Sequence, residues 1–437
     1  MSDLFISKET AEQDLLACAA FLAERIKSSD GRGEAMNAVI PRYLARGDVD
    51  LAAELANATD EPFSRDKLLL LVAEKCAEID DDEYALQLTD AIEDLGIQSH
   101  AFERVALSAI SKGNRAKALE IADSMAHPDL IYAAVAAHQA IEGDDGGSRA
   151  TLDMIMFPSS RVHALQQVAA DRIKSGRAEA ATEPLDEAVA AANDIEHSEE
   201  KIRNLLDIGN LFIEAEQNDK AVSTFELACR AAEALDNTHR DFFLVNCALG
   251  FLYAGSQAQS DTTLDLVTDK TQMASALLAV AREQWKNEEK QQAVDTLEEA
   301  YEILKSQREA ETRDSRARNT LFASIAAQLA GFGKTDRGVE VALENIDPRE
   351  RTAALSQIAQ ILTVQKEDAL SRQTMNLIDE DADRLFALLG IADAKVGLGE
   401  PDGSIALLDE AATLSETVSQ LGARSAILNS IAERYTA

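Results

Sequence analysis

A nine-residue phrase recurs along this chain, and its spacing constrains the fold more than any other feature. The phrase is Arg, two free positions, two apolar residues, two free positions, an apolar residue and usually Ala. It reads Arg65-x-x-Leu68-Leu69-x-x-Val72-Ala73 early on, Arg351-x-x-Ala354-Leu355-x-x-Ile358-Ala359 later and Arg424-x-x-Ile427-Leu428-x-x-Ile431-Ala432 at the end. Aligned starts fall at 32, 65, 98, 128, 161, 201, 240, 273, 318, 351, 384 and 424, and eight of the twelve are arginine: Arg32, Arg65, Arg161, Arg240, Arg318, Arg351, Arg384 and Arg424. Apolar residues three, four, seven and eight places on share one face of a helix. Successive starts differ by 30 to 45 residues, most often 33. A period of this kind marks an array in which each unit buries its apolar face against its neighbours.

The unit is clearest from Lys201 to Leu235. Leu205, Ile208, Gly209 and Phe212 form one stripe, and Ala221, Phe225 and Ala228 a second, on two helices joined at Gln217-Asn218-Asp219. Gly209 and Ala228 are small where the helices must approach, and Phe212 and Phe225 are large where the gap must be filled. This order of large, small and aromatic residues resembles the tetratricopeptide repeat. Leu205 stands where that family has tryptophan, and the closing proline is absent. Units 161 and 273 repeat the spacing with Leu165, Val168, Ala169, Ala181, Leu185 and Ala188, and with Leu277, Val280, Ala281, Ala293, Leu297 and Ala300. The resemblance implies an all-α, right-handed α-solenoid of about eleven helix-turn-helix repeats with terminal caps, acting as a scaffold or adaptor for other proteins. The expected organisation is a capping helix in 1–31, the solenoid over 32–423 and a capping helix in 424–437.

The 437 residues include only 7 prolines and 20 glycines, and no alternating strand pattern occurs, so nearly everything is expected to be helix. Residues 8 to 28 read as one amphipathic helix with Leu15, Leu16, Ala19, Ala20, Leu22 and Ile26 on its apolar side. Pro41 falls inside the first helix of unit 32 and is expected to kink it. Residues 306 to 317 read as a helical extension or a joint between two halves. No apolar run approaches the roughly 18 residues of a membrane span, and the first residues are acidic where a secretory leader is basic and then apolar, so a cytoplasmic location is expected.

Net charge is −36. Such a surface repels phosphate backbones and anionic lipid, which disfavours nucleic-acid and membrane partners, including the RNA read by pentatricopeptide arrays. The acidity serves solubility or attracts a basic partner. Cys18, Cys76, Cys229 and Cys247 lack CxxC spacing and read as buried small hydrophobes in a reducing compartment.

Short motifs do not carry chemistry. Gly331-Phe332-Gly333-Lys334-Thr335 glances at a phosphate loop, but Gln328 stands where the leading glycine belongs and a helical pattern precedes it. Asp80-Asp81-Asp82-Glu83 lacks the alternation and glycine of a calcium loop. His127-Pro128-Asp129 is the tripeptide of J-domain co-chaperones without their basic helix, and reads as a turn. The six histidines show no metal-ligand spacing and no serine sits in a nucleophile elbow, so no catalytic residue, metal or cofactor is assigned. An enzyme with a site assembled across units, and a pentatricopeptide-like nucleic-acid reader, remain the alternatives.

Residues 2, 5, 9, 12 and 13 after each aligned start are expected to face the concave side of the array. In unit 240 these include Phe242, Val245, Leu249 and Tyr253. Arg203 and Asn210 from unit 201, with Leu278, Arg282, Trp285 and Lys286 from unit 273, extend the set into an apolar, aromatic strip with cationic neighbours. It is a candidate groove for a protein or peptide, basic or bearing a carboxylate. The competing reading buries these residues between neighbouring first helices. The aligned arginines are expected to reach the acidic turn or helix-end carbonyls of the preceding unit, a structural role.

Overall fold

The computed structural model describes residues 5–307, 315–418 and 421–436, and among them only helices and their connections occur. Eleven antiparallel hairpins follow one another. In the first six, Ser29–Arg46 pairs with Val49–Asn57, Pro62–Glu78 with Asp82–Asp90, Leu95–Ser111 with Arg115–Asp123, Asp129–Ile141 with Asp145–Leu152, Pro158–Lys174 with Thr182–Asn193, and Ser198–Glu214 with Asn218–Glu233. The rest pair Arg240–Tyr253 with Gln257–Leu264, Lys270–Lys286 with Lys290–Ser306, Ser315–Gly331 with Thr335–Glu344, Pro348–Val364 with Asp368–Met375, and Asp381–Gly397 with Pro401–Ser415. The chain divides into two compact units, Met1–Ala228 and Cys229–Ala437. In each, first helices pack on the first helices of adjacent hairpins and on their own second helices.

Burial follows the phrase. Leu68, Leu69, Val72 and Ala73 are inaccessible, as are Ala354, Leu355, Ile358 and Ala359. In the Lys201–Leu235 hairpin, Phe212, Ala221, Phe225 and Ala228 are buried, and a Cβ added to Gly209 would overlap the Phe225 ring. Glycine at 209 therefore permits the close approach that its position implied.

Each hairpin turns through one left-handed residue, fifteen places after the aligned start. Seven are glycine, such as Gly47 at φ 85° and Gly255 at φ 81°; the other four are Asp80, Glu216, Glu288 and Lys366, with φ from 58° to 69°. At Gly255 the turn is a Schellman closure: Gly255 N–H donates to Leu252 O at 3.0 Å and Ser256 N–H to Phe251 O at 2.8 Å. Gly333 and Asp80 hold this same place, so the glycine-rich and acidic stretches there are helix-to-helix turns.

At three junctions a buried acid beside the aligned start, Asp66, Asp129 or Asp241, fastens one hairpin to the next. The Asp66 carboxylate accepts from Glu93 N–H at 3.1 Å and Asp94 N–H at 2.8 Å, and Asp129 likewise from Met156 and Phe157 at 3.3 and 3.1 Å. Asp129 thus gives the His-Pro-Asp turn a structural task. The arginines reach both ways: Arg32 Nε donates back to Ile26 O at 3.1 Å, and Arg318 Nε to Leu304 O at 3.2 Å. Forward, Arg65 pairs with Glu93 at 3.1 Å and Arg351 with Asp379 at 2.9 Å, contacts towards the following hairpin that the sequence reading did not include.

Two expectations need correcting or bounding. Residues 8 to 28 are not one helix: Lys8–Ala11 stops and Leu15–Glu24 restarts, because the Asp14 side chain caps the amides of Leu16 and Ala17. The restart buries Leu16, Ala17, Ala20 and Ala23, leaving Leu15 and Leu22 exposed. The connection expected to be a helical extension has residues 308 to 314 outside the described set. At the other end, Leu421–Thr436 packs against Asp381–Gly397 and Pro401–Ser415, with Arg434 gripping Asp393 at 2.8 Å.

Candidate functional site

The Arg240–Tyr253 helix, RDFFLVNCALGFLY, is apolar almost all round and mostly buried. Phe242, Asn246, Leu249 and Tyr253 form its one outward stripe, spaced 0, 4, 7 and 11 as a helical face requires. Its ends are aromatic: Phe242 is 47% exposed and Tyr253 46%, whereas adjacent Phe243 is core and meets Phe242 edge to face at 5.4 Å. Asn246 Nδ2 donates to Phe242 O at 2.7 Å, spending its polarity on its own helix.

The neighbouring Lys270–Lys286 helix presents the equivalent stripe as Ser275, Ala279, Arg282 and Lys286. Arg282 Nε donates to Gln328 Oε1 at 3.1 Å, and Gln328 Nε2 to Leu278 O at 3.0 Å, so the guanidinium is held across to the Ser315–Gly331 helix. Lys286 pairs with Glu283 at 2.9 Å, and this hydrogen bond pushes its pKa above the ordinary lysine value. Trp285 is half-buried and stacks on Phe332, centroids 4.2 Å apart and planes 5° from parallel, with the Lys290 ammonium 5.5 Å from its ring centroid.

Of the ten residues singled out in the sequence, Phe242, Leu249, Tyr253, Leu278, Arg282, Trp285, Lys286 and Val245 belong to the second unit. Val245 and Leu278 are 6% and 3% exposed, so neither is offered to a partner. Position five lies some 60° around the helix from position two, on the flank that packs against the next first helix. Arg203 and Asn210 are exposed on the Ser198–Glu214 helix of the first unit, where Arg203 lies 3.5 Å from Glu199. Sequence reasoning missed Asn246, Gln328 and Phe332; the 0, 4, 7, 11 spacing would have found the first, but the other two are distant in the chain.

Aromatics and guanidinium groups are the side chains that most often anchor interfaces; the Phe242–Tyr253 stripe holds no histidine, serine or cysteine, and the neighbouring stripe holds Ser275. Among the described residues, no three His, Cys, Asp or Glu are placed to hold a metal, and no helix is long and apolar enough to cross a membrane. Cys76, Cys229 and Cys247 are buried and all four thiols are unbridged; burial pushes the Cys76 thiol up to about 11.

Tandem helical hairpins with these close-approach and turn positions define an all-α solenoid of tetratricopeptide-like repeats. No protein-family model and no curated protein matches the sequence. Among solved structures, Ton1535 from Thermococcus onnurineus NA1 is 19% identical, with 74% of this chain and 98% of that chain covered, at a TM-score of 0.28. The Cut9–Hcn1 hetero-tetramer of the APC/C is 11% identical over 97% and 94%, at 0.26. A signal-transduction ATPase with a tetratricopeptide repeat sensor from Pyrococcus horikoshii is 12% identical over 93% and 72%, at 0.28.

Proposed function

We propose that this chain is a non-catalytic scaffold that binds a protein or peptide segment, with the second unit's aromatic stripe as one docking surface. The carrying observation is that Phe242 and Tyr253 stand about half exposed, with half-buried Leu249 between them, on a helix whose other large apolar residues are buried. Single exposed apolar side chains are ordinary, but a row of them along one helical face makes a candidate contact surface. Leu249 joins the two, and Arg282 and Lys286 add cationic neighbours fit for a carboxylate on the partner. Arg203 and Asn210 are retained as candidate contacts of the first unit. The charge of −36 favours a protein partner over nucleic acid.

The test compares the intact chain with Phe242→Ser plus Tyr253→Ser in affinity capture from the source cytosol, followed by titration of the purified partner. Both residues are exposed, so helical circular dichroism stays the same while partner affinity falls by about tenfold or more. Equal capture by both forms would remove the stripe from the reading. An equal loss of helicity would return the two aromatics to the core.

A further inference from the structure

Leu15–Glu24, LLACAAFLAE, is apolar on every side. Its one charged residue, Glu24, is occupied within the chain, accepting Phe5 N–H at 2.9 Å and Ile6 N–H at 3.1 Å. A helix of this composition belongs inside a protein. One side does lie inside: Leu16, Ala17, Ala20 and Ala23 are buried, and the helix packs on Lys8–Ala11 and Ser29–Arg46. The other side does not. Leu15 is 89% exposed and Leu22 58%, Ala19 between them is exposed as well, and no other residue of the helix is, so its whole water-facing surface is apolar.

The pattern of this face says what fits it. Leu15, Ala19 and Leu22 stand at 0, 4 and 7, large, small and large, in the spacing and order of Leu205, Gly209 and Phe212, a stripe that takes a second helix against it at Phe225. The stripe is also its own reverse. Turned end for end, it sets Leu15 on Leu22 and Ala19 beside Cys18, with small residues where two helix axes come closest. Charge has the same symmetry: Glu9, Glu12 and Asp14 precede the stripe, and Arg25 and Lys27 follow it. Lys8 lies 3.8 Å from Glu12, Arg46 is bonded to Asp14, and Arg25 stands over the Phe21 ring at 5.3 Å. With Lys8 and Arg46 counted at one end and Glu24 at the other, residues 8 to 14 keep one net negative charge and residues 24 to 27 one net positive charge. Asp48 and Asp50 line a cavity with Asp14 and reinforce the acidic end. Antiparallel pairing therefore places each acidic end against a basic one and opposes the two helix dipoles.

We propose that two copies of this chain pair through Leu15–Glu24, antiparallel, about a two-fold axis between Cys18 and Ala19. Leu15 of each copy packs on the partner's Leu22, so one stripe covers the other. Residues 5 to 32 hold four basic and five acidic side chains in a chain of net charge −36, so the two caps meet without the repulsion that the rest of the surface imposes. One helical face is smaller than the interface of a permanent dimer, and the pairing is reversible and concentration-dependent. It is independent of the aromatic stripe of the second unit.

Sedimentation of the full chain from about 1 to 300 μM reads the pairing. Mass is expected to rise from one chain to two and no further, because a two-fold contact closes on itself. Leu15→Ser plus Leu22→Ser, at exposed positions, should keep the circular dichroism and weaken pairing about tenfold or more, whereas Phe242→Ser plus Tyr253→Ser should leave it unaltered. Direction is tested by charge: Glu9→Lys plus Glu12→Lys, and Arg25→Glu plus Lys27→Glu, should each pair more weakly alone than the intact chain and recover when mixed. A short bismaleimide should join two chains through Cys18, the one cysteine that is not buried, and Cys18→Ser should abolish the product. A single-chain mass at every concentration, growth beyond two chains, or pairing indifferent to the leucine variant would overturn the proposal. Charge variants that pair as tightly as the intact chain, or a doubled mass without the Cys18 product, would overturn the antiparallel axis.

Discussion

The Asp241 carboxylate accepts the backbone N–H of Asp269 at 2.6 Å, so a buried acid at the start of one hairpin holds the first turn of the next. The same oxygen accepts from Thr268 N–H at 2.8 Å and its hydroxyl at 2.7 Å. Removing a buried acceptor of this kind leaves several donors unmet, at a cost of about 2 kcal/mol. Asp241→Ala should therefore raise amide exchange at Thr268 and Asp269 about 30-fold, read by native-state hydrogen exchange, while amides of the first unit stay unchanged. Uniform acceleration along the chain would show that the bond supports global stability instead of this one junction.

Acid should loosen that junction in a defined direction. Burial alone raises the Asp241 pKa, but the Thr268 hydroxyl and the Asp269 and Thr268 amides outweigh it and hold the group below the ordinary carboxylate value. A depressed folded pKa means the unfolded state binds more protons. The stabilisation is complete above the ordinary value of about 3.9 and disappears as pH falls through the lower folded value. A carboxyl-carbon NMR titration checks the shift, and a midpoint at or above the ordinary value would contradict it.

The turn positions predict opposite signs for opposite substitutions. Glu216 and Lys366 occupy left-handed conformations at φ 58° and 64° that cost a residue with a Cβ about 1 kcal/mol. Changing either to glycine should raise the unfolding free energy, read from the urea midpoint, by up to about that amount, after the entropy glycine adds to the unfolded chain. Gly255→Ala, at φ 81°, should lower it by about 1 kcal/mol. The three midpoints, measured side by side, decide whether backbone conformation governs these turns.

Gly209 is expected to tolerate no side chain. A Cβ there overlaps the buried Phe225 ring, and overpacking of this sort costs about 1–3 kcal/mol. Gly209→Ala should destabilise the first unit, and adding Phe225→Leu should recover part of the loss. A double variant no better than the single one would place the strain elsewhere.

Trp285 is the chain's one tryptophan, so its emission reports a single place. Phe332→Ala removes its stacked partner and should shift the emission to longer wavelength as water reaches the indole. A partner bound over Tyr253 and Lys286 should move it the opposite way, and an unchanged spectrum on partner binding would argue against docking beside this ring.

Legibility from sequence varied with distance along the chain. The helical stripe of each phrase and the close approach at Gly209 were readable because each follows from residues a few places apart. The restart at Asp14 was missed: the apolar spacing of residues 8 to 28 suits one helix, and only the capping bonds show the break. In the candidate site, Phe242 and Phe243 are identical in kind and adjacent, yet one is surface and the other core. Val245 and Leu278 look as suitable for a groove as Leu249, and packing against neighbouring first helices removes them.

By itself, then, the sequence determined the hairpin, its period and the residues that face inward within it, because helical periodicity and turn chemistry act over a handful of residues. Tertiary structure alone decided how hairpins clasp, through Asp241 and Asp269 or Arg149 and Glu187, partners 28 and 38 residues apart that no local pattern couples. It also decided that Leu15, Ala19 and Leu22 stay uncovered on a helix that is apolar on every side. Those outcomes depend on which surfaces meet between neighbouring repeats, and burial is a property of the assembled pair, not of either helix.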